Sequence, residues 1–229
     1  MEFDGGFTAG WMRRFAASAE ATRAELTALD QQVGDGDFGI NLTTGLSSVV
    51  AALDALPVPS GQWPAAAPLE AAAGVFLDDV GGTSGPLFGL VLQELAVAAA
   101  DVGPRLTTAA LTAGTAAGLA AVQRVGEAVP GDKTLVDALT PAVERLQRSG
   151  AQAPPGCALR AAADGAWEGV LRTARLRARR GRASYLGDRA VGVPDPGAVG
   201  VGLLFASAGR PVASLAPFVP RGAQPAVQN

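Results

Sequence analysis

Apolar residues recur along the chain at intervals of three and four, the spacing of helices that bury one face. Trp11, Phe15, Ala19, Thr22, Leu26 and Leu29 mark a first helix, expected from about Phe7 to Leu29. Leu42, Leu46, Val49, Val50 and Leu53 mark a second, beginning near Ile40, and Pro57, Pro59 and Gly61 then break the chain. Leu69, Ala72, Ala73, Phe76, Leu77 and Val80 give a third, and a fourth is expected from Leu87 to Ala99. Thr107 or Thr108 suits the N-cap of a fifth that reaches about Gly126. Leu135, Leu139, Val143 and Leu146 form the face of a sixth. A seventh is expected from about Ala158 to Arg179 and an eighth from Ala198 to Ala208. Alternating, β-branched strand patterns are nearly absent. The pattern therefore predicts one all-α domain over residues 1–209, an antiparallel bundle of about eight amphipathic helices. Arg210–Asn229, with four prolines and no periodicity, is expected to be a loose tail.

Composition narrows the chemistry. Of 229 residues, 48% are hydrophobic and 17% charged, enough to bury a sizeable core. A net charge of −3 argues against a nucleic-acid binder. The chain has no histidine, which excludes a Ser-His-Asp triad, a His-dependent zinc site and phosphohistidine chemistry on this chain. Cys157 is the single cysteine, so no intrachain disulfide exists, and a small buried apolar residue is its expected role. The N-terminus shows no basic region followed by an apolar core, and no run of about 18 apolar residues lacks polar breaks. A cytoplasmic protein that neither spans nor binds a membrane is the expectation.

One polar stretch stands out. Leu29-Asp30-Gln31-Gln32-Val33-Gly34-Asp35-Gly36-Asp37-Phe38-Gly39-Ile40-Asn41 carries three carboxylates among three glycines, with no positive charge between them. It is expected to be the turn between the first two helices. Two carboxylates about 5 Å apart repel by roughly 3 kcal/mol at an effective dielectric of about 20. A divalent cation removes that cost, and an all-oxygen set suits Mg²⁺, Mn²⁺ or Ca²⁺ rather than zinc. Capping and turn formation is the plainer alternative for Asp and Gly.

In an up-and-down bundle alternate connections share an end. The turns after helices one, three, five and seven are the unusual ones: the aspartate loop, Gly81–Gly85, Pro130–Thr134 and Gly181–Gly197. They are expected to build one composite site. Gly81-Gly82-Thr83-Ser84-Gly85-Pro86 reads as a phosphate cradle, with free backbone N–H groups and a positive dipole end at a helix start, or as a well-capped helix start alone. Lys133, the only lysine, is expected to pair structurally with Asp132, with phosphate contact the alternative. Six arginines lie at 172, 175, 177, 179, 180 and 182. Most suit a solvated helix end, whereas Arg182 lies in the long loop, where it can clamp a phosphate. Asp195 caps helix eight or binds a ligand hydroxyl.

Together these segments resemble the nucleotide-binding L subunit, or L domain, of dihydroxyacetone kinases. The resemblance rests on Leu29-Asp30 with Gly34-Asp35-Gly36-Asp37, Gly39 and Asn41, and on Gly81-Gly82-Thr83-Ser84-Gly85-Pro86-Leu87-Phe88-Gly89. Gly131-Asp132-Lys133-Thr134 is similar to a third motif of that family. Gly181 to Arg189 with Asp195-Pro196-Gly197-Ala198 is similar to a fourth, so the likeness covers nearly the whole chain to about Ala208. It implies a barrel of eight helices with the nucleotide at one end. It implies that Asp30, Asp35 and Asp37 hold two Mg²⁺ and, with Arg182, form the catalytic group. Phe38, Asn41, Thr83, Ser84, Gly126, Leu135, Arg182 and Asp195 would line ADP or ATP, with Gly126 and Leu135 at the adenine. The family usually has histidine where this chain has Phe38.

The function implied is a kinase subunit that phosphorylates dihydroxyacetone or a related small ketose or polyol held by a partner K subunit. The phosphate source is free ATP, or bound ADP recharged by a phosphotransferase-system protein. The alternatives are a non-catalytic nucleotide-binding regulatory module and a different nucleotide reaction on the same scaffold. The arginine-rich seventh helix faces solvent or a second chain, so a homodimer is one expected assembly.

Overall fold

The computed structural model describes residues 2–57 and 63–219. The chain breaks expected at Pro59 and Gly61 lie outside the described residues, as does the tail beyond Val219. Among the described residues there are eight α-helices: α1 Gly5–Val33, α2 Phe38–Ala55, α3 Ala66–Asp78, α4 Ser84–Val102, α5 Thr108–Gly126, α6 Val136–Ser149, α7 Pro155–Thr173 and α8 Pro196–Ala206. No strand occurs among the described residues. Side chains start several of the helices. Asp4 accepts from Phe7 N–H at 3.1 Å and Thr107 from Ala110 N–H at 3.1 Å, each meeting a backbone donor that the helix leaves unpaired.

Each helix packs on the next along the chain, from α1 on α2 to α7 on α8, and α8 returns to α1, so the eight close into a ring. This is the barrel that the resemblance implies, built from the eight helices that the periodicity predicts. α8 is apolar on every side, and residues 196–205 are all buried. Its glycines give the interior its fit. A Cβ at Gly200 would stand 2.7 Å from the Phe88 ring and 2.9 Å from that of Phe38, and one at Gly202 would stand 2.9 Å from the Trp167 indole. Trp11 donates from Nε1 to Leu204 O at 2.7 Å, fixing α1 to the same helix.

Four expectations about the course of the chain are corrected. α1 runs on to Val33, so Asp30 lies in its last turn rather than in the connection. α7 ends at Thr173, short of Arg179, because groups from elsewhere take up its terminal carbonyls. Lys133 Nζ donates to Thr173 O at 2.6 Å, and Gly192 N–H donates to Ala174 O at 2.7 Å. The long connection holds a 3-10 segment, Arg182–Ala190, kinked at Gly187 where φ is +57°. Finally, the tail is packed as far as it is described. Val212 N–H donates to Ser18 Oγ at 2.9 Å, Leu215 N–H to Glu25 Oε2 at 2.8 Å, and Phe218 stacks on Trp167 with ring centroids 4.4 Å apart.

α2 and α4 reach the length and mean hydropathy of a membrane span, 1.2 and 1.4, although polar and charged residues interrupt both, as expected from the run lengths. Both are ring helices whose apolar faces meet the core, as core helices of this length do. Cys157 is exposed, not buried as expected, and lies 3.2 Å from Arg160 Nη2.

Candidate functional site

The connections α1–α2, α3–α4, α5–α6 and α7–α8 meet at one end of the barrel and line a cavity of about 400 Å³. The composite site expected from alternate turns is therefore present as a single space.

Local backbone geometry delivers the aspartates to it. Gly34 follows α1 with no room for a side chain, since a Cβ there would lie 2.2 Å from Asp30 Oδ1. Its N–H donates to Asp30 O at 2.6 Å, and Asp30 Oδ2 accepts from Phe38 N–H at 3.1 Å. Gly36 has φ +80°, a left-handed conformation that glycine adopts without strain. The turn thus reverses within four residues and returns Asp37 to the N-cap position of α2. There Asp37 makes no capping bond, which leaves its carboxylate free. One oxygen from each of Asp30, Asp35 and Asp37 lies within 4.8 Å of the others. Asp30 is buried, Asp37 half-buried and Asp35 more open, and Arg182 makes an ion pair with Asp35. Three carboxylate oxygens converging this closely suit a hard divalent cation.

The second connection faces them. Gly82 has φ +78°, and Thr83, the residue before α4, makes no capping bond with its hydroxyl. The start of α4 therefore presents unpaired N–H groups, two hydroxyls from Thr83 and Ser84, and the positive end of the helix dipole to the cavity. Gly85 must stay bare for the turn to close, since a Cβ would stand 2.4 Å from Val80 O. Asn41 lies beside the main cavity in an adjoining space of about 40 Å³, together with Asp37, Phe38, Gly82, Thr83 and Ser84.

The other walls are apolar. Gly126 and Leu135 line the cavity, joined by Val122, Ala128 and Val136. Asp137 shapes the connection above them, accepting from Gly131 N–H at 2.6 Å and Thr134 N–H at 2.9 Å. Lys133 is structural, but its expected partner is wrong. Its side chain is buried and donates to Thr173 O and Val193 O, while Asp132 accepts from Val129 N–H. Lys133 holds φ +63°, so a left-handed lysine ties the third connection to the fourth. Burial pushes its ammonium below the ordinary lysine range, while the charges of Asp195 and Asp137 oppose the shift.

Asp195 caps α8 through Ala198 N–H at 2.8 Å and also lines the cavity. Desolvation pushes its carboxyl up to about 7, against the Ala198 N–H and the Lys133 charge; the charges of Asp137 and Asp30 add to the rise. Arg182 and Arg180 line the opposite lip. Phe38 lines the cavity as a largely buried ring that also reaches Gly200 and contributes no side-chain donor. Sequence reasoning missed Leu87, Val122 and Val136 as lining residues. The first two sit one helical turn from Ser84 and Gly126, and that spacing is the signal that finds them.

Comparison with known proteins decides the family. The profile described as DAK2 domain matches residues 32–209. The chain belongs to the DAK2-domain family. Among relatives of this DAK2 chain, the D-erythrulose kinase of Mycolicibacterium smegmatis is 41% identical over 196 residues, 83% of this chain and 33% of that one. The ADP-binding subunit DhaL of PEP-dependent dihydroxyacetone kinase 2 from Listeria innocua is 39% identical, covering 85% of this chain and 88% of its own. The DAK2 chain is thus of the DhaL type, and it spans about a third of the longer kinase. A crystal structure of the dihydroxyacetone kinase from C. freundii in complex with AMP-PNP and Mg²⁺ shares the fold at TM-score 0.65 and 26% identity. That likeness covers 90% of this chain and 34% of that one.

Proposed function

We propose that this DAK2 chain is the nucleotide-bearing phosphotransferase subunit of a small-ketose kinase. It would hold ADP or ATP with two Mg²⁺ and act on dihydroxyacetone, or a related ketose or polyol, seated on a partner K subunit. One observation carries the reading: three converging carboxylate oxygens face an uncapped helix start across a cavity with apolar far walls. The size and zoning suit a nucleotide, with phosphates between the aspartates and α4 and the base against Gly126 and Leu135. Relatives named as ADP-binding subunits and kinases support it.

Asp30, Asp35 and Asp37 are the residues that would hold the cations. Bound Mg²⁺ would neutralise phosphate charge and polarise the phosphoryl group. The chain's own contribution is positional and electrostatic, as in phosphoryl transfer generally. Thr83, Ser84 and the α4 N–H groups cradle phosphate oxygens. Arg182, already placed at Asp35, supplies a planar donor pair to the same region. Asp195, at the far side, accepts from or donates to a ligand hydroxyl according to its protonation. Phosphate would come from free ATP or from a phosphotransferase-system protein acting on bound ADP, and the reading places the chain in the cytoplasm.

Phe38 favours a second reading, a nucleotide-binding regulatory module that does not turn over. Its ring is packed into the core and offers the phosphates nothing polar. Titration of ADP and ATP by calorimetry, with and without Mg²⁺, tests the site. Binding should need Mg²⁺ and should weaken at least about tenfold in Asp35→Ala, the scale seen when a metal-site group is lost. Turnover with the K subunit from the same genome then separates the two readings. Wild-type turnover removes the regulatory one, whereas turnover only after Phe38→His would establish it.

A further inference from the structure

Charge is distributed unevenly on this molecule. Between residues 175 and 189 lie six arginines and one acidic residue, Asp188, a surplus of five positive charges. The whole chain carries −3, so the remainder carries −8. All six arginines are exposed. Arg180 and Arg182 line the cavity and belong to the nucleotide site. The other four sit on the outer lip. Arg177 reaches Asp188 at 3.6 Å and Arg179 reaches Asp132 at 3.9 Å. Arg175 and Arg189 make no ion pair among the described residues. Concentrating like charge on a short segment is unfavourable unless something of opposite sign meets it.

The same lip is apolar in places. Tyr185, the only tyrosine, is 87% exposed on the 3-10 segment, and Val191 follows it in the open. Across the mouth Val125 and Val129, which bracket the cavity-lining Gly126 and Ala128, and Ile40, two residues past Phe38, are also exposed. Five of the eight large exposed apolar side chains of the described residues therefore lie within four residues in sequence of a cavity-lining position. Arginine and tyrosine among scattered apolar side chains make up the centres of protein interfaces. A nucleic acid fits the surface poorly, since the mouth it would cover holds Asp30, Asp35 and Asp37 and the remainder of the chain is acidic. The relatives agree on a protein occupant. In them this region is either about a third of one longer kinase chain or nearly all of a chain named as a subunit, so further polypeptide accompanies it in both.

We propose that the lip spanning residues 175–191 is the docking surface for an acidic face of the polypeptide that holds the acceptor, with Arg175, Arg189 and Tyr185 as its anchors. The inference rests on the phosphotransfer reading above and adds where the partner sits and what charge it presents. The basic lip steers an acidic face onto the cavity mouth and repels an approach by basic surfaces, while the acidic remainder of the barrel disfavours other orientations.

The test uses Arg175→Glu/Arg189→Glu and, separately, Tyr185→Ala, all exposed positions outside the nucleotide cavity. Calorimetry with ADP and Mg²⁺ should give wild-type affinity for each. In the coupled assay with the K subunit from the same genome, KM for that subunit should rise at least about tenfold in the double reversal, with kcat within about twofold of wild type. Wild-type KM should increase between 50 and 300 mM NaCl, and the double variant should lose most of that dependence. Unchanged KM and unchanged salt dependence, with nucleotide binding intact, would overturn the docking surface and leave the phosphotransfer reading standing. Absence of Mg²⁺-dependent nucleotide binding in the wild type would remove that reading, and the inference with it. Retention of the wild type, but not the double variant, on a 20-mer oligonucleotide would assign the lip to nucleic acid instead.

Discussion

At Gly34 one hydrogen atom stands where any other residue would put a carbon 2.2 Å from Asp30 Oδ1. Its φ of −147° is open to every residue type, so space and not backbone strain demands glycine here. The same peptide donates to Asp30 O, which fixes how α1 ends and where the first carboxylate points. Gly34→Ala should therefore push Asp30 away from Asp35 and Asp37 without touching the rest of the barrel. We expect Mg²⁺-dependent ADP affinity to fall about 10–100-fold, the range for groups that orient metal ligands. The thermal midpoint of the ligand-free protein should shift by only a few degrees. Calorimetry and a thermal melt on one preparation check both, and unchanged affinity would show that Asp30 has room to adjust. The glycine-aspartate alternation was legible as a turn rich in ligands. That Asp30 belongs to the helix was not, because a residue's place in the last helical turn depends on a hydrogen bond to the glycine four residues later.

At the level of elements, helix faces were legible and several helix ends were not. Faces follow from spacing, and Trp11, Phe15, Leu26, Leu46 and Phe76 are all buried as their period implies. Ends depend on what meets the terminal carbonyls. α7 stops at Thr173 because Lys133, forty residues earlier, donates there, and no local signal at Thr173 announces it. The packed stretch from Pro211 to Val219 escaped notice for a similar reason. Its prolines and lack of period are the signs of loose chain, while its anchors, Ser18, Glu25 and Trp167, are remote in sequence. This segment seals the side of the barrel where α1, α7 and α8 meet. Phe218 is its largest anchor, lying nearly parallel to the Trp167 ring with 15° between the planes. Phe218→Ala should cost about 2 kcal/mol of unfolding free energy. That figure joins the loss of a half-buried ring to the loss of an aromatic pair. Urea denaturation followed by Trp fluorescence measures it, and a difference below about 0.5 kcal/mol would mean that the segment is not held by this contact.

For the whole molecule, the floor of the cavity links stability to pH. The shared end of the four connections was legible from bundle topology, since alternate turns must fall together, and the chemistry of each turn then named most of the lining. What topology alone leaves open is the electrostatic cost of assembling them. Asp195 concentrates that cost: its carboxyl rises from the ordinary 3.8 to about 7, mainly through desolvation. Lys133 draws it down, while Asp137 and Asp30 raise it further. The folded state thus binds this proton more tightly than the unfolded chain does. Stability from this group is fully present below about pH 4 and is lost as pH rises through about 7. A shift of that size corresponds to on the order of 2–4 kcal/mol over the interval, less where Lys133 adjusts to the new charge. Asp195→Asn keeps a side-chain oxygen for the Ala198 N–H, so the start of α8 stays capped while the titration disappears. Denaturant midpoints measured from pH 3 to 8, without nucleotide or divalent cation, should decline for the wild type relative to Asp195→Asn, with the gap opening between about pH 4 and 7. Parallel profiles would place the carboxyl in contact with bulk water.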